Sequence, residues 1–152
     1  MPFTYNCVSH IALVCKDVDE TIEFYVNKLN MPLLRSVRLP AGARHLFFQL
    51  NPYDRTGQVA FFWFPDGPPA APGIASQHYD KSKGAETAVG SMNHLAFDVS
   101  PDAFDEFVSE LARKGIRANT IDHTDETGRV WIRSVYFFDP NGIKLEFAAL
   151  VE

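Results

Sequence analysis

The sequence predicts an α+β fold made of two copies of a βαβββ unit, and three observations carry that prediction. The chain aligns on itself. One half opens VSHIALV and the other MNHLAFDV, each a strand with His two residues before Ala: His10 and Ala12, His94 and Ala96. Each opening strand runs into an acidic-started helical stripe, with Asp19, Glu23 and Phe24 matched by Asp102, Glu106 and Phe107. Each half then closes on alternating apolar runs joined by a turn, Asp54-Arg55-Thr56-Gly57 in the first and Asp139-Pro140-Asn141-Gly142 in the second.

The elements follow in order. Over 17–30, Val18, Ile22, Tyr25, Val26 and Leu29 recur at helical spacing, with Asp17 and Asp19 favouring the N-terminus. The runs RHLFFQL and QVAFFWF read as strands of the first unit, which spans 6–65. Residues 66–91 are rich in Pro, Gly, Ala and Ser, too long for a mere connector, and read as a surface loop or lid. The second unit spans 92–150. Its helix is expected over 101–114, with Phe104, Phe107, Val108 and Leu111 inward, Ser100 as N-cap and Gly115 as stop. The stretch YFFDPNGIKLEF is then a hairpin. Asp139 bonds its own backbone, Pro140 presets φ, and Gly142 takes a left-handed conformation.

Composition narrows the function classes. A chain of 152 residues with 46% hydrophobic and 22% charged content suits one soluble domain, 1–152. A net charge of −5 without a basic block argues against nucleic-acid binding. No apolar run spans a membrane and no secretory signal opens the chain, so a cytoplasmic setting is expected. Cys7 and Cys15 form neither a disulfide framework nor a zinc site alone.

Three polar residues interrupt apolar strands: His10, His94 and Glu146. The two histidines are related by the repeat. Counting four residues from Gly57, as Glu146 stands four from Gly142, lands on Phe61. Two histidines and one carboxylate suit a divalent metal such as Fe(II) or Mn(II), with positions left open for substrate oxygens. Each residue alone also has a structural reading, such as a Glu146 pairing with Arg133, yet a buried carboxylate needs some partner.

The segments SHIALVCKDVDETIEFYVNKLNMPL, MNHLAFDV and YFFDPNGIKLEF together resemble the vicinal oxygen chelate superfamily, over about 8–149. That superfamily includes glyoxalases, extradiol dioxygenases, fosfomycin-modifying transferases and bleomycin-resistance proteins. The resemblance implies that the paired units curl into a half-open barrel around a metal held by His10, His94 and Glu146. Fe(II) is the first expectation, with Mn(II), Zn(II) or Ni(II) as alternatives. A small-molecule substrate and a homodimer are also implied. The family often places a fourth ligand on the first closing strand, where Phe61 stands here; Gln58 takes that place if the register shifts by a pleat.

Extradiol cleavage of a catechol-like diol is the lead expectation. Tyr136 stands ten residues before Glu146, as in the dioxygenase signature. The signature's His has no counterpart at 127–129, and His123 reads as a loop residue. His45 is the candidate general base. Phe47, Phe61, Trp63 and Trp131 are candidate pocket walls, with Arg133 and Arg44 as orienting cations. Fosfomycin-type thiol addition, or a glyoxalase-type lyase or isomerase reaction, is the alternative. The transferase subfamily's usual Thr is replaced by Ala12. A metal-free binding protein of the bleomycin-resistance kind is the second alternative.

Overall fold

The computed structural model describes residues 7–51, 57–67 and 92–151. The 54–56 part of the first unit's expected turn, and nearly all of the 66–91 loop, lie outside them. The chain divides into two compact units, Met1–Pro69 and Ala70–Glu152. Each contains a four-stranded mixed sheet with helix on one face, so the fold class is α+β.

In the first unit, β1 (His10–Val14), β2 (Leu33–Arg38), β3 (Arg44–Gln49) and β4 (Gln58–Trp63) take the order β1-β4-β3-β2. β1 runs parallel to β4 and the other pairs are antiparallel. Alternation sorts the strands into two faces. Leu46, Phe48, Val59 and Phe61 point to the helix and are fully buried or nearly so. Tyr25 packs there with ring centroids 5.1 Å from Phe48 and 5.0 Å from Phe61.

The helix that supplies Tyr25 departs from the expected regular 17–30 helix. α1 (Val18–Ile22) is α-helical, and Glu23–Lys28 continue as π-helix. Leu29 N–H donates to Phe24 O, five residues back, at 3.0 Å. Phe24 and Tyr25 are both buried, on the same helix face as Thr21. Asp17 caps the N-terminus as expected, accepting from Glu20 N at 2.7 Å.

In the second unit, β5 (Leu95–Asp98), β6 (Ala118–Thr124), β7 (Val130–Phe138) and β8 (Lys144–Leu150) take the matching order β5-β8-β7-β6. Val135, Phe137, Leu145, Phe147 and Ala149 face α2 (Phe104–Arg113). Phe104 and Leu111 of α2 are buried, while Phe107 is half out and touches Phe147 at 5.3 Å. Ser100 makes no side-chain cap. Pro101 instead starts a single 3-10 turn, Pro101–Ala103, that leads into the helix. Gly115, at φ +70°, is the stop.

The β7–β8 hairpin forms as its turn residues dictate. Asp139 Oδ1 accepts from Asn141 N and Ile143 N, both at 2.8 Å, and Gly142 adopts φ +81°. The two hairpins differ in phase by one residue. Gly57 immediately precedes the first paired residue Gln58, whereas Ile143 separates Gly142 from Lys144. Counting from the glycines therefore misplaces the repeat. Glu146 pairs with Ala96 and Tyr136; the same places in the first unit are Ala12 and Phe47, and the residue between them is Ala60. The counterpart of Glu146 is Ala60, and Phe61 corresponds to Phe147. Among the described residues, no helix is long and apolar enough to cross a membrane.

Candidate functional site

The faces turned away from the helices carry the polar residues. In the second unit, His94 lies just before β5, and Glu146, Lys144 and Tyr136 share the outward face of β8 and β7. Glu146 is 4% exposed, so its carboxylate has left water and must be compensated. Arg133 does not do this. It lies on the helix face, 4.5 Å over the Phe104 ring, and pairs with Asp105 at 2.9 Å and Asp122 at 3.5 Å.

The group facing Glu146 is His94. Nε2 of His94 lies 2.8 Å from Oε2 of Glu146. Nδ1 of the same ring lies 2.7 Å from Asn93 Oδ1, which can only accept, so Nδ1 carries the proton. In the neutral ring Nε2 is then a lone pair. Two acceptors thus face each other at hydrogen-bond distance, an arrangement that a proton or a cation must bridge. In the first unit Ser9 Oγ lies 3.2 Å from Nδ1 of His10, and because a hydroxyl both donates and accepts it holds that nitrogen without fixing the tautomer. In both units the residue before the histidine holds Nδ1 and leaves Nε2 for another partner.

Tyr136 borders this pair. Its ring meets His94 edge-on at 5.7 Å, Lys144 Nζ lies 4.6 Å above it, and its hydroxyl is 3.2 Å from His123 Nε2. Burial lowers the Lys144 pKa, and the nearby Glu146 charge partly opposes that. His123 corrects an expectation. It sits on β6, opposite Ile132, not in a loop. The segment ANTIDHT has no apolar alternation to announce a strand, and β7 supplies its backbone partners.

In the first unit, His10, Gln58, Ala60, Phe47, His45 and Phe62 share the outward face. The Phe47 ring lies 6.2 Å from that of His10 and 4.1 Å from that of His45. His45 stacks on Phe62 at 3.7 Å, and its Nε2 is buried with no hydrogen-bond partner. Burial first, and then the charge of His10, push the His45 pKa below its ordinary value. Gln58 lies opposite His10, and its amide donates to Gln49 Oε1 at 3.3 Å.

Two candidate pocket walls, Phe61 and Trp63, fall on the other side. Phe61 is fully buried against Tyr25, and Trp63 donates to Lys16 O at 3.2 Å on the same helix-facing side of β4. Trp131 is the extra residue where β7 shifts register against β6, between Val130 opposite Thr124 and Ile132 opposite His123, and is 41% exposed. Strand parity, which a run of consecutive aromatics hides, separates Phe61 and Trp63 from Phe47. Arg44 likewise points to the helix side and donates to Ser36 Oγ. Among the described residues, no three His, Cys, Asp or Glu side chains are gathered as a ready metal-holding group.

Comparison with known proteins is consistent over nearly the whole chain. Residues 8–147 match the family model of the Glyoxalase/Bleomycin resistance protein/Dioxygenase superfamily. YwkD of Bacillus subtilis is 31% identical over 140 residues, covering 91% of this chain and 93% of that protein. The metallothiol transferase FosB of Lysinibacillus sphaericus is 24% identical, covering 95% and 82%. Among solved structures, a glyoxalase family protein from Enterococcus faecalis superposes with TM-score 0.67 at 26% identity, covering 95% and 98%. The fosfomycin resistance protein FosX of Listeria monocytogenes, complexed with Mn(II) and sulfate, superposes with TM-score 0.61 at 18% identity, covering 96% and 93%.

Proposed function

The chain belongs to the Glyoxalase/Bleomycin resistance protein/Dioxygenase superfamily, and from that premise we propose that it is an enzyme whose divalent metal is held by His10, His94 and Glu146. The observation that carries this is the His94–Glu146 pair. A buried carboxylate faces, at 2.8 Å, an imidazole nitrogen whose proton is already committed to the other side of the ring. A divalent cation satisfies both acceptors at once, and two histidines with a carboxylate are a donor set for Mn(II), Fe(II), Zn(II) or Ni(II). When bound, the metal supplies Lewis-acid activation of a substrate oxygen.

We propose a transfer or addition reaction of the lyase, isomerase or thiol-transferase kind on a small oxygenated substrate. The relative named a metallothiol transferase supports that choice. Tyr136 is the proton donor of the site: its hydroxyl, held by His123, protonates an oxygen that gains charge as its bond opens. This supplies the hydroxyl that Ala12 lacks. A second reading, extradiol ring cleavage with Fe(II), is favoured by one observation, that His123 partners Tyr136 from a strand position the signature spacing missed.

The decisive experiment begins with metal-stripped protein titrated with Mn(II), Fe(II), Zn(II) and Ni(II). One metal ion per chain is expected, and Glu146→Gln should lose it while staying folded. Failure of the wild type to take up any of the four metals sinks the enzyme reading and favours a ligand-sequestering protein. The loaded protein is then offered epoxides with cysteine or glutathione under Mn(II), and catechols with O₂ under Fe(II). Ring-opened product without any thiol adduct would replace the transferase reading with the dioxygenase one.

A further inference from the structure

Strand β2 breaks register between Leu33 and Arg35. Leu33 pairs with Phe48, but Arg35 pairs with Phe47, so Leu34 is an extra residue on the β2 side. Such a bulge changes the side to which every later side chain points. Without it Arg35 would follow Leu33 onto the helix side. With it Arg35 lies opposite Phe47, on the face that carries His10 and His45.

Protection of an exposed sheet edge does not account for this placement. Arg38, paired with Arg44, already puts a charge on the same edge strand without needing the bulge. The other strand arginine with a fixed role, Arg133, is neutralised by Asp105 and Asp122. Arg35 has no carboxylate within ion-pair distance among the described residues, in a chain with net charge −5. Its register partner is Phe47, whose ring lies 4.1 Å from that of His45 on the same face.

We propose that Arg35 is a specificity-determining residue that binds the anionic end of the substrate, a carboxylate on a flat apolar body. The inference rests on the metal reading only for the other end of that molecule. His10 on β1 and Arg35 on β2 stand at the two edges of the β1-β4-β3-β2 sheet, three strand spacings or about 14 Å apart across it and two residues or about 7 Å apart along it. The Phe47 ring lies between them and offers an apolar surface for the body. The guanidinium presents the forked donors that match a carboxylate.

The test is calorimetric titration of Mn(II)-loaded protein with 3-phenylpropanoate and with its neutral amide. The acid should bind about tenfold tighter or better, the scale of one charged hydrogen bond. Arg35→Gln should abolish that preference without changing Mn(II) uptake, and Arg35→Lys should keep part of it. Equal affinity for acid and amide, no binding of either at millimolar concentration, or an undiminished preference in Arg35→Gln each overturns the proposal. If the protein takes up no Mn(II), the same titrations on metal-free protein still read the preference. Failure of the metal reading and failure of the Arg35 assignment are thus separate results.

Discussion

The His45 imidazole is harder to protonate than a free one. Its ring is stacked on Phe62 and flanked by Phe47, and burial together with His10 lowers its pKa below the free-imidazole value. Below that lowered value the folded protein must carry a charge in an apolar setting, whereas the unfolded chain protonates more readily. The unfolded state therefore binds more protons between the two values, and stability is lost as pH falls from above the unfolded pKa through the folded one. Melting temperatures of wild type should drop between pH 7.5 and 5, and His45→Phe should narrow that drop; an unchanged drop would remove His45 as its source. Tyr136 belongs to the same scale. Tyr136→Phe should leave metal uptake intact and lower kcat by about 10²–10⁴-fold if the hydroxyl transfers the proton. His123→Gln, which keeps a side chain able to hydrogen-bond the hydroxyl, should lower kcat less and move its pH profile. A loss confined to KM would recast Tyr136 as a binding residue.

Sheet parity decides which aromatic residues are core and which border the site. Phe61 stands on the buried side with Tyr25 and Phe48, so Phe61→Ala should cost about 3–5 kcal/mol in denaturant unfolding, a cavity of core size. Phe47→Ala, on the outward face, should cost less and weaken ligand binding more; the reverse ranking would mean that the two faces are assigned wrongly. β1, β3, β4, β5, β7 and β8 were legible as apolar runs, and the β7–β8 turn was legible because Asp139 and Gly142 dictate it. The π-helical turn was not. The stripe read from the sequence over Val18, Ile22, Tyr25, Val26 and Leu29 shares only Tyr25 with the buried set Thr21, Phe24 and Tyr25, and no side-chain pattern marks the change to i+5 bonding at Glu23. His123 was missed because its strand is an edge with polar side chains on both faces. Its pairing with Tyr136 depends on strand register, which no local pattern records. The β2 bulge that turns Arg35 is invisible for the same reason.

At the scale of the whole molecule, the repeat is the strongest constraint on the site. The two units share strand order, a histidine before or at the opening strand, and a side chain from the preceding residue on each Nδ1. They differ where it matters for a metal: the register place of Glu146 is filled by Ala60, fully buried and without a polar group. If the units are equivalent around one cation, a carboxylate at 60 would be a fourth ligand; if they are not, it would be a buried charge without a partner. The two cases have opposite signatures. Ala60→Glu should lower the melting temperature of metal-free protein, because an isolated carboxylate in an apolar strand costs several kcal/mol. Zn(II) or Ni(II) should then raise it by more than the same metal raises wild type, since metal binding to the native state adds to stability by mass action. Melting curves of both proteins, with chelator and with each metal, check this directly. A metal-induced rise no larger in Ala60→Glu than in wild type would show that β4 does not face the metal at position 60. The repeat would then extend to the strand order but not to the ligands.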